Sequence, residues 1–296
     1  MDVVVLVLLL AVSTLAGILG SILGLGGGFI ITPTLIMLNL EPYRVSATSL
    51  FTVVSTSLSS SISYAKQGRI DYRLVSRLAL SALPGAIIGA YIASIIDTEG
   101  FKLYFAMILA SVSIYMLLRP YRKNDVGSDN KADDKNGNNY NYNNDDDNDN
   151  EGNNNDRDNN NKSSSSYVNS NKVGKSIPVY YTIASLSGLV SSLFGIGGGA
   201  ILVPMMLILM GMSMHRAVPN AQFIILVSSI AGLLSHAILG HPDYMIASIL
   251  VVGTFIGAQI GARLLGRVKD IVLRRAVSIA LLGIAVKFFY DLISSG

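Results

Sequence analysis

The sequence predicts an all-α polytopic membrane protein of two inverted repeats, each a glycine-broken helical hairpin followed by three transmembrane helices. Three observations lead there. The 296 residues are 51% hydrophobic with a mean hydropathy of +0.50. That is more apolar surface than one core of this size hides, so the surplus faces lipid. Charge avoids the apolar runs: outside residues 124–176 the acids are Asp2, Glu41, Asp71, Asp97, Glu99, Asp243, Asp270 and Asp291, all at breaks or chain ends. Finally, the chain repeats itself on either side of a polar linker.

The chain opens Met1-Asp2-Val3, and its first basic residue is Arg44. Without a basic leading region a cleaved secretory signal is not expected, and the first helix is taken as part of the mature protein. Residues 3–40 form an apolar region interrupted at Gly24–Gly28, and residues 178–211 form a second one interrupted at Gly195–Gly199. A bilayer is crossed by about 20 apolar residues. The runs 44–65, 74–96, 101–118, 217–239, 244–262 and 271–290 meet that within a few residues, three after each interrupted region. Residues 124–176 are rich in Asn, Asp and Ser with almost nothing apolar to bury, so they are expected to be disordered. The expected division is a first membrane repeat at 1–123, an acidic cytoplasmic linker at 124–176 and a second membrane repeat at 177–296. The linker holds eleven acids against six bases, so a chain of net charge +3 carries +8 on its membrane part. There is no cysteine, which excludes disulfides, thiol catalysis and thiolate metal sites.

The duplication is read from fixed offsets. Gly24-Leu25-Gly26-Gly27-Gly28 returns 171 residues later as Gly195-Ile196-Gly197-Gly198-Gly199, and Pro33 returns as Pro204. From there the offset is 172, pairing Arg44 with Arg216, Gly68 with Gly240, Asp71-Tyr72 with Asp243-Tyr244, Gly85 with Gly257 and Gly89 with Gly261. Basic residues exchange places between the halves. Lys66, Arg69, Arg73 and Arg77 follow the first full span of the first half, whereas the matching stretch 240–243 has no Lys or Arg. Arg263, Arg267, Lys269, Arg274 and Arg275 lie one loop later in the second half, where the first half has only Lys102 against Asp97 and Glu99. The positive-inside rule then sets the halves in opposite orientations, with the linker cytoplasmic behind Arg119, Arg122 and Lys123 and both termini outside. The interrupted regions become hairpins, either two short spans or a re-entrant pair each.

Two such hairpins would bring their glycine turns together near the bilayer middle, where irregular backbone survives only if buried in protein or lining a cavity. The arm after each turn carries Pro33 or Pro204 in its first turns, as a helix start allows. Its free N–H groups and positive dipole end therefore lie at the glycines, a setting that attracts anions without a buried Lys or Arg. Candidate binding residues are Gly24, Gly26, Gly27, Gly28, Gly195, Gly197, Gly198 and Gly199, and the expected substrate is a small oxyanion. Gly85, Gly89, Gly253, Gly257 and Gly261, spaced by four, fit helix packing instead. Of the polar residues at membrane depth, Thr48, Ser49, Asn220, Gln222 and Gln259 serve equally as oxyanion hydrogen-bond partners or as interhelical glue. The hydroxyl-rich stretch Ser55–Ser63 carries little specificity. His236, a titratable group inside a span, is a candidate for proton coupling, although Tyr64 holds the matching position. No catalytic residue, metal or cofactor is expected.

The duplicated Gly24–Pro33 and Gly195–Pro204 motifs, the Ala47-Thr48-Ser49 stretch and the Gly-x-x-Asp-Tyr turn at Gly68 and Gly240 resemble the sulfite exporter TauE/SafE family of membrane permeases. The likeness covers both halves but not the linker. It implies a secondary transporter, an exporter of sulfite, an organosulfonate or a related sulfur oxyanion through a multi-pass cell-membrane protein. Pro219-Asn220-Ala221 stands where the first half has Ala47-Thr48-Ser49, so the two sides of any site are chemically unequal. An anion channel, or a transporter of another small organic anion, is the nearest alternative. An enzyme is disfavoured because no span holds an Asp, a Glu, a Cys or a His pair. Expected partners are the anionic substrate, the lipid bilayer and a second copy in a homodimer. Nucleic acid is not expected, since the basic residues cluster at membrane edges.

Overall fold

A computed structural model describes residues 3–38, 40–118 and 177–268, with scattered positions between 272 and 290. The linker and nine of the twenty residues of the expected span 271–290 lie outside the described residues. Those described are helical, with no strand among them. In the first half α1 is Val3–Leu23, α2 Gly28–Met37, α3 Pro42–Lys66, α4 Tyr72–Ala93 and α5 Thr98–Leu118. In the second half α6 is Ile177–Phe194, α7 Gly199–Ile208, α8 Met214–Ile238 and α9 Tyr244–Leu264, followed by a 3₁₀ turn at Leu265–Arg267. Segments long and apolar enough to cross a membrane are Leu6–Leu23, Pro42–Lys66, Tyr72–Ala93, Met214–Ile238 and Tyr244–Arg267.

The hairpins have unequal arms. α2 and α7, with 10 residues each, reach about 15 Å, roughly half a bilayer. α1 has 21 residues, about 31 Å, and is long enough to cross alone; only α2 and α7 are short in the manner expected. No polar break before Gly24 shortens α1. Large apolar side chains such as Leu8, Leu80, Ile95, Ile238 and Tyr290 stand exposed on the outside of the bundle, as side chains facing lipid do.

The repeated Gly-x-x-Asp-Tyr turn is a helix stop joined to a helix start. Gly68 and Gly240 have φ of 66° and 73°, a left-handed conformation that glycine adopts without a Cβ penalty. The next amide folds back, Arg69 N–H to Tyr64 O at 3.1 Å and His241 N–H to His236 O at 3.1 Å. Asp71 and Asp243 then cap the following helices, accepting from Leu74 N–H at 3.2 Å and from Met245 and Ile246 N–H at 3.1 and 3.2 Å.

Packing runs between the halves. α1 lies along α9, and a Cβ added at Gly257 or Gly261 would overlap the backbone oxygen of Thr14 or Ile18. α6 lies along α4 in the same way, with Gly85 against Ser185 and Gly89 against Leu189. Such close approach of backbones is what small residues permit in membrane bundles. Each of these contacts recurs with the halves exchanged, the pattern a two-fold relation produces. The residue numbers rise together along both seams, so α1 runs parallel to α9, and α6 parallel to α4.

Candidate functional site

α1 ends on Gly24, whose φ of 73° turns the chain while Leu25 N–H bonds Gly20 O at 3.0 Å. Gly27 and Gly198, with φ of 78° and 64°, precede α2 and α7, and neither helix has a side-chain cap. The N-terminal amides of two helices, with their positive dipole ends, thus converge on the glycine turns. The turns touch. A Cβ at Gly28 would overlap Gly195 O and lie 2.8 Å from Ile196 Cα, and a Cβ at Gly199 would overlap Gly24 O and lie 2.7 Å from Leu25 Cα. Gly26 and Gly197 face each other, a Cβ on either lying 3.5 or 3.4 Å from the Cα of the other, and Val53 of α3 packs against both. All these residues are buried.

The polar residues named from sequence divide among three places. Ser49 is at the turns: its hydroxyl donates to Gly195 O at 2.6 Å, while Thr32 donates to Phe194 O at 3.0 Å and Ser46 to Leu193 O at 2.5 Å. Together they satisfy the last carbonyls of α6. In the other half Val203 and Val218 stand against Gly24. Gln222 is also at the turns, donating from Nε2 to Gly20 O at 2.8 Å. Thr48 and Asn220 form a reciprocal brace: Thr48 Oγ1 accepts from Asp243 N–H at 3.1 Å, and Asn220 Oδ1 from Asp71 N–H at 2.9 Å. Each holds the loop of the opposite half. Gln259 lies on the α3–α9 seam, where its Nε2 donates to Ser59 O at 3.0 Å beside Ser55 and Ser59, which donate to Val251 O and Phe255 O.

His236 is buried and fully engaged. Its Nε2 lies 3.0 Å from Ser192 O and its Nδ1 2.9 Å from His241 Nδ1. A carbonyl only accepts, so Nε2 carries hydrogen, and in the neutral ring Nδ1 accepts from His241 Nδ1–H. Tyr64 makes the matching bond, Oη–H to Ser21 O at 3.0 Å.

Sequence reasoning missed the most informative group. Thr56 Oγ1 is buried without a hydrogen-bond partner and lies 2.9 Å from where a Cβ on Gly27 would stand. Gln222 Oε1, Ser57 Oγ and Ser61 Oγ are likewise buried and unpartnered. Each unpaired group costs about 1–3 kcal/mol, so each is open to a polar partner. A groove of about 380 Å³ beside α5, α6 and α7 is lined by Ile183, Ala200, Ile201, Pro204 and Met205; it is apolar and suits an acyl chain rather than an anion.

A membrane-spanning helical bundle with two broken hairpins meeting in a buried polar joint defines a multi-pass membrane transporter. The sulfite exporter TauE/SafE family profile matches residues 9–288, and the chain belongs to that family, whose members are permeases rather than enzymes. It is 30% identical over 297 residues to the probable membrane transporter protein YunE of Bacillus subtilis (strain 168), covering 96% of this chain and 97% of that one. The probable membrane transporter protein YdhB of the same organism is 22% identical, covering 91% of this chain and 94% of the relative. Sulfite exporter TauE/SafE family protein 2 of Arabidopsis thaliana is 32% identical over 104 residues, 35% of this chain and 22% of the relative. No solved structure matches the chain.

Proposed function

We propose that the protein is a secondary transporter that exports a small sulfur oxyanion, sulfite or an organosulfonate, across the cell membrane. The observation that carries the reading is the meeting of two uncapped helix N-termini at the glycine turns beside the unpartnered Thr56 hydroxyl. The N–H groups of Gly27, Gly28 and Gly197–Gly199 and the Thr56 O–H donate to the anion, while Gly26 N–H is held by Gly20 O at 3.3 Å. Gln222 Oε1 accepts from a protonated oxygen such as that of hydrogensulfite. Because the turns are in contact, an anion enters by separating them, which suits a carrier more than an open pore. Sulfur comes from the family and from the name of the Arabidopsis relative. The test is labelled sulfite flux in proteoliposomes: saturable uptake accelerated by unlabelled sulfite on the far side is expected, whereas unsaturable conductive flux would make the protein a channel.

The same reading sets the two repeats in opposite orientations. Its supports are the exchange of basic loops and the parallel course of α1 and α9. If α1 starts on one side, α2 returns there, α3 crosses and α4 comes back, so α4 opposes α1. α9, the counterpart of α4, runs with α1 instead. Cysteines at Gly68→Cys and Gly240→Cys, where an added Cβ meets nothing within 4 Å, are expected to label from opposite sides of the membrane. Labelling from one side alone would establish parallel repeats.

A further inference from the structure

We propose that the α3 hydroxyls Ser57 and Ser61, with Arg69 in the loop that follows, form the path by which an oxyanion passes between one membrane face and the glycine turns. The proposal rests on the anion-transport reading above and extends it to residues outside the turns. Val53 touches both turns. Positions 53, 57, 61 and 64 lie at helical spacings of four, four and three, so they share one face of α3. That face therefore runs from the turns through Ser57 and Ser61 to Tyr64, about 16 Å along the axis.

Ser57 and Ser61 are buried, and neither hydroxyl has a partner. The contrast lies within the same helix: Ser60 bonds back to Thr56 O at 2.6 Å and Thr52 to Ser49 O at 2.7 Å. Hydroxyls that serve only packing are satisfied there by their own backbone, and these two are not. At the end of the row the guanidinium of Arg69 rests over Gly266, whose added Cβ would lie 3.1 Å from Nη2, while Nη1 is buried and unpartnered. Among the described residues no carboxylate is ion-paired with Arg69. A cation with a free donor at the mouth and unspent donors behind it suit an anion losing its water shell in steps.

The second half does not repeat the row. Opposite Ser57, Ser61 and Arg69 stand Ser229, Leu233 and His241, and Ser229 Oγ is paired with Ser191 Oγ at 3.5 Å. The polar path thus belongs to the face that carries Arg69, beside Lys66 and Arg73. Asp71 is the nearby acid, and its carboxylate accepts from Leu74 N–H.

Labelled sulfite uptake by membrane vesicles of both orientations tests the path. Arg69→Gln is expected to raise KM about tenfold for sulfite offered from the side of the 67–71 loop and to leave the other side within twofold; Arg69→Lys stays within about threefold on both. In the natively cysteine-free chain, Ser61→Cys is expected to react with the anionic reagent 2-sulfonatoethyl methanethiosulfonate, slowed by sulfite, while Ser60→Cys reacts at least tenfold slower. Wild-type KM from both sides in Arg69→Gln, or an unreactive Ser61→Cys in protein that still transports, overturns the path. Absence of sulfite flux in the wild type instead overturns the substrate reading, and the Ser61→Cys reaction then still decides whether anions reach α3.

Discussion

Gly28→Ala and Gly199→Ala are each expected to abolish sulfite transport and to remove most of the folded protein. At both positions the added Cβ collides with backbone: Gly195 O and Ile196 Cα in one case, Gly24 O and Leu25 Cα in the other. No rotamer change relieves a clash between two main chains, so the turns must separate. Overpacking of this kind costs roughly 3 kcal/mol, a large share of the stability of most domains. Gly68→Ala and Gly240→Ala are the controls. They carry the left-handed backbone penalty of about 1–2 kcal/mol with nothing within 4 Å of the new methyl. Size-exclusion profile, thermal midpoint and flux of the four variants check this. Gly27→Ala is less informative, because Gly27 combines a positive φ with contact to Thr56, so strain and loss of a ligand site act together.

Gly85→Val and Gly257→Val are expected to cost as much stability by another route. Each opens a seam between halves, α4 from α6 or α9 from α1, by driving side-chain carbons into the carbonyl of Ser185 or Thr14. The two variants should resemble each other, since the seams correspond under exchange of the halves. Protein that survives purification should bind sulfite as the wild type does, because neither seam includes the turns. A thermal midpoint lowered with unchanged affinity is the expected pair of readings; weakened affinity at full stability would place these glycines in the site.

Much of this was legible in the sequence, for physical reasons. A run of twenty apolar residues has few alternatives to a membrane helix, and five clustered glycines followed by proline stop one helix and start another. The Gly-x-x-Asp-Tyr repeat is legible for the same cause, since glycine ends α3 and α8 and aspartate begins α4 and α9. Hydroxyls and amides were harder to read. Ser49, Thr48 and Asn220 all sit at membrane depth, yet one serves the Gly195 carbonyl just past α6 and two brace loops across the halves. Which backbone group a side chain meets depends on residues about 150 to 200 positions away, which periodicity does not report. The Ser55–Ser63 stretch shows the limit. Its hydroxyls look alike as letters, but Ser55 and Ser59 reach α9, Ser60 turns back on its own helix, and Thr56, Ser57 and Ser61 find no partner. Arg69 resembled any other topogenic basic residue until its neighbours in space were known.

The central claim is that the two glycine turns and Thr56 together form one oxyanion site. Equilibrium binding of labelled sulfite to purified, monodisperse protein tests it most directly, comparing the wild type with Thr56→Val, which keeps the shape of the side chain and removes its donor. One sulfite per chain is expected, with affinity reduced about tenfold in Thr56→Val, the worth of a hydrogen bond to a charged group. No binding by the wild type, or identical binding by Thr56→Val at equal stability, would contradict the account and leave the glycine turns as a packing joint.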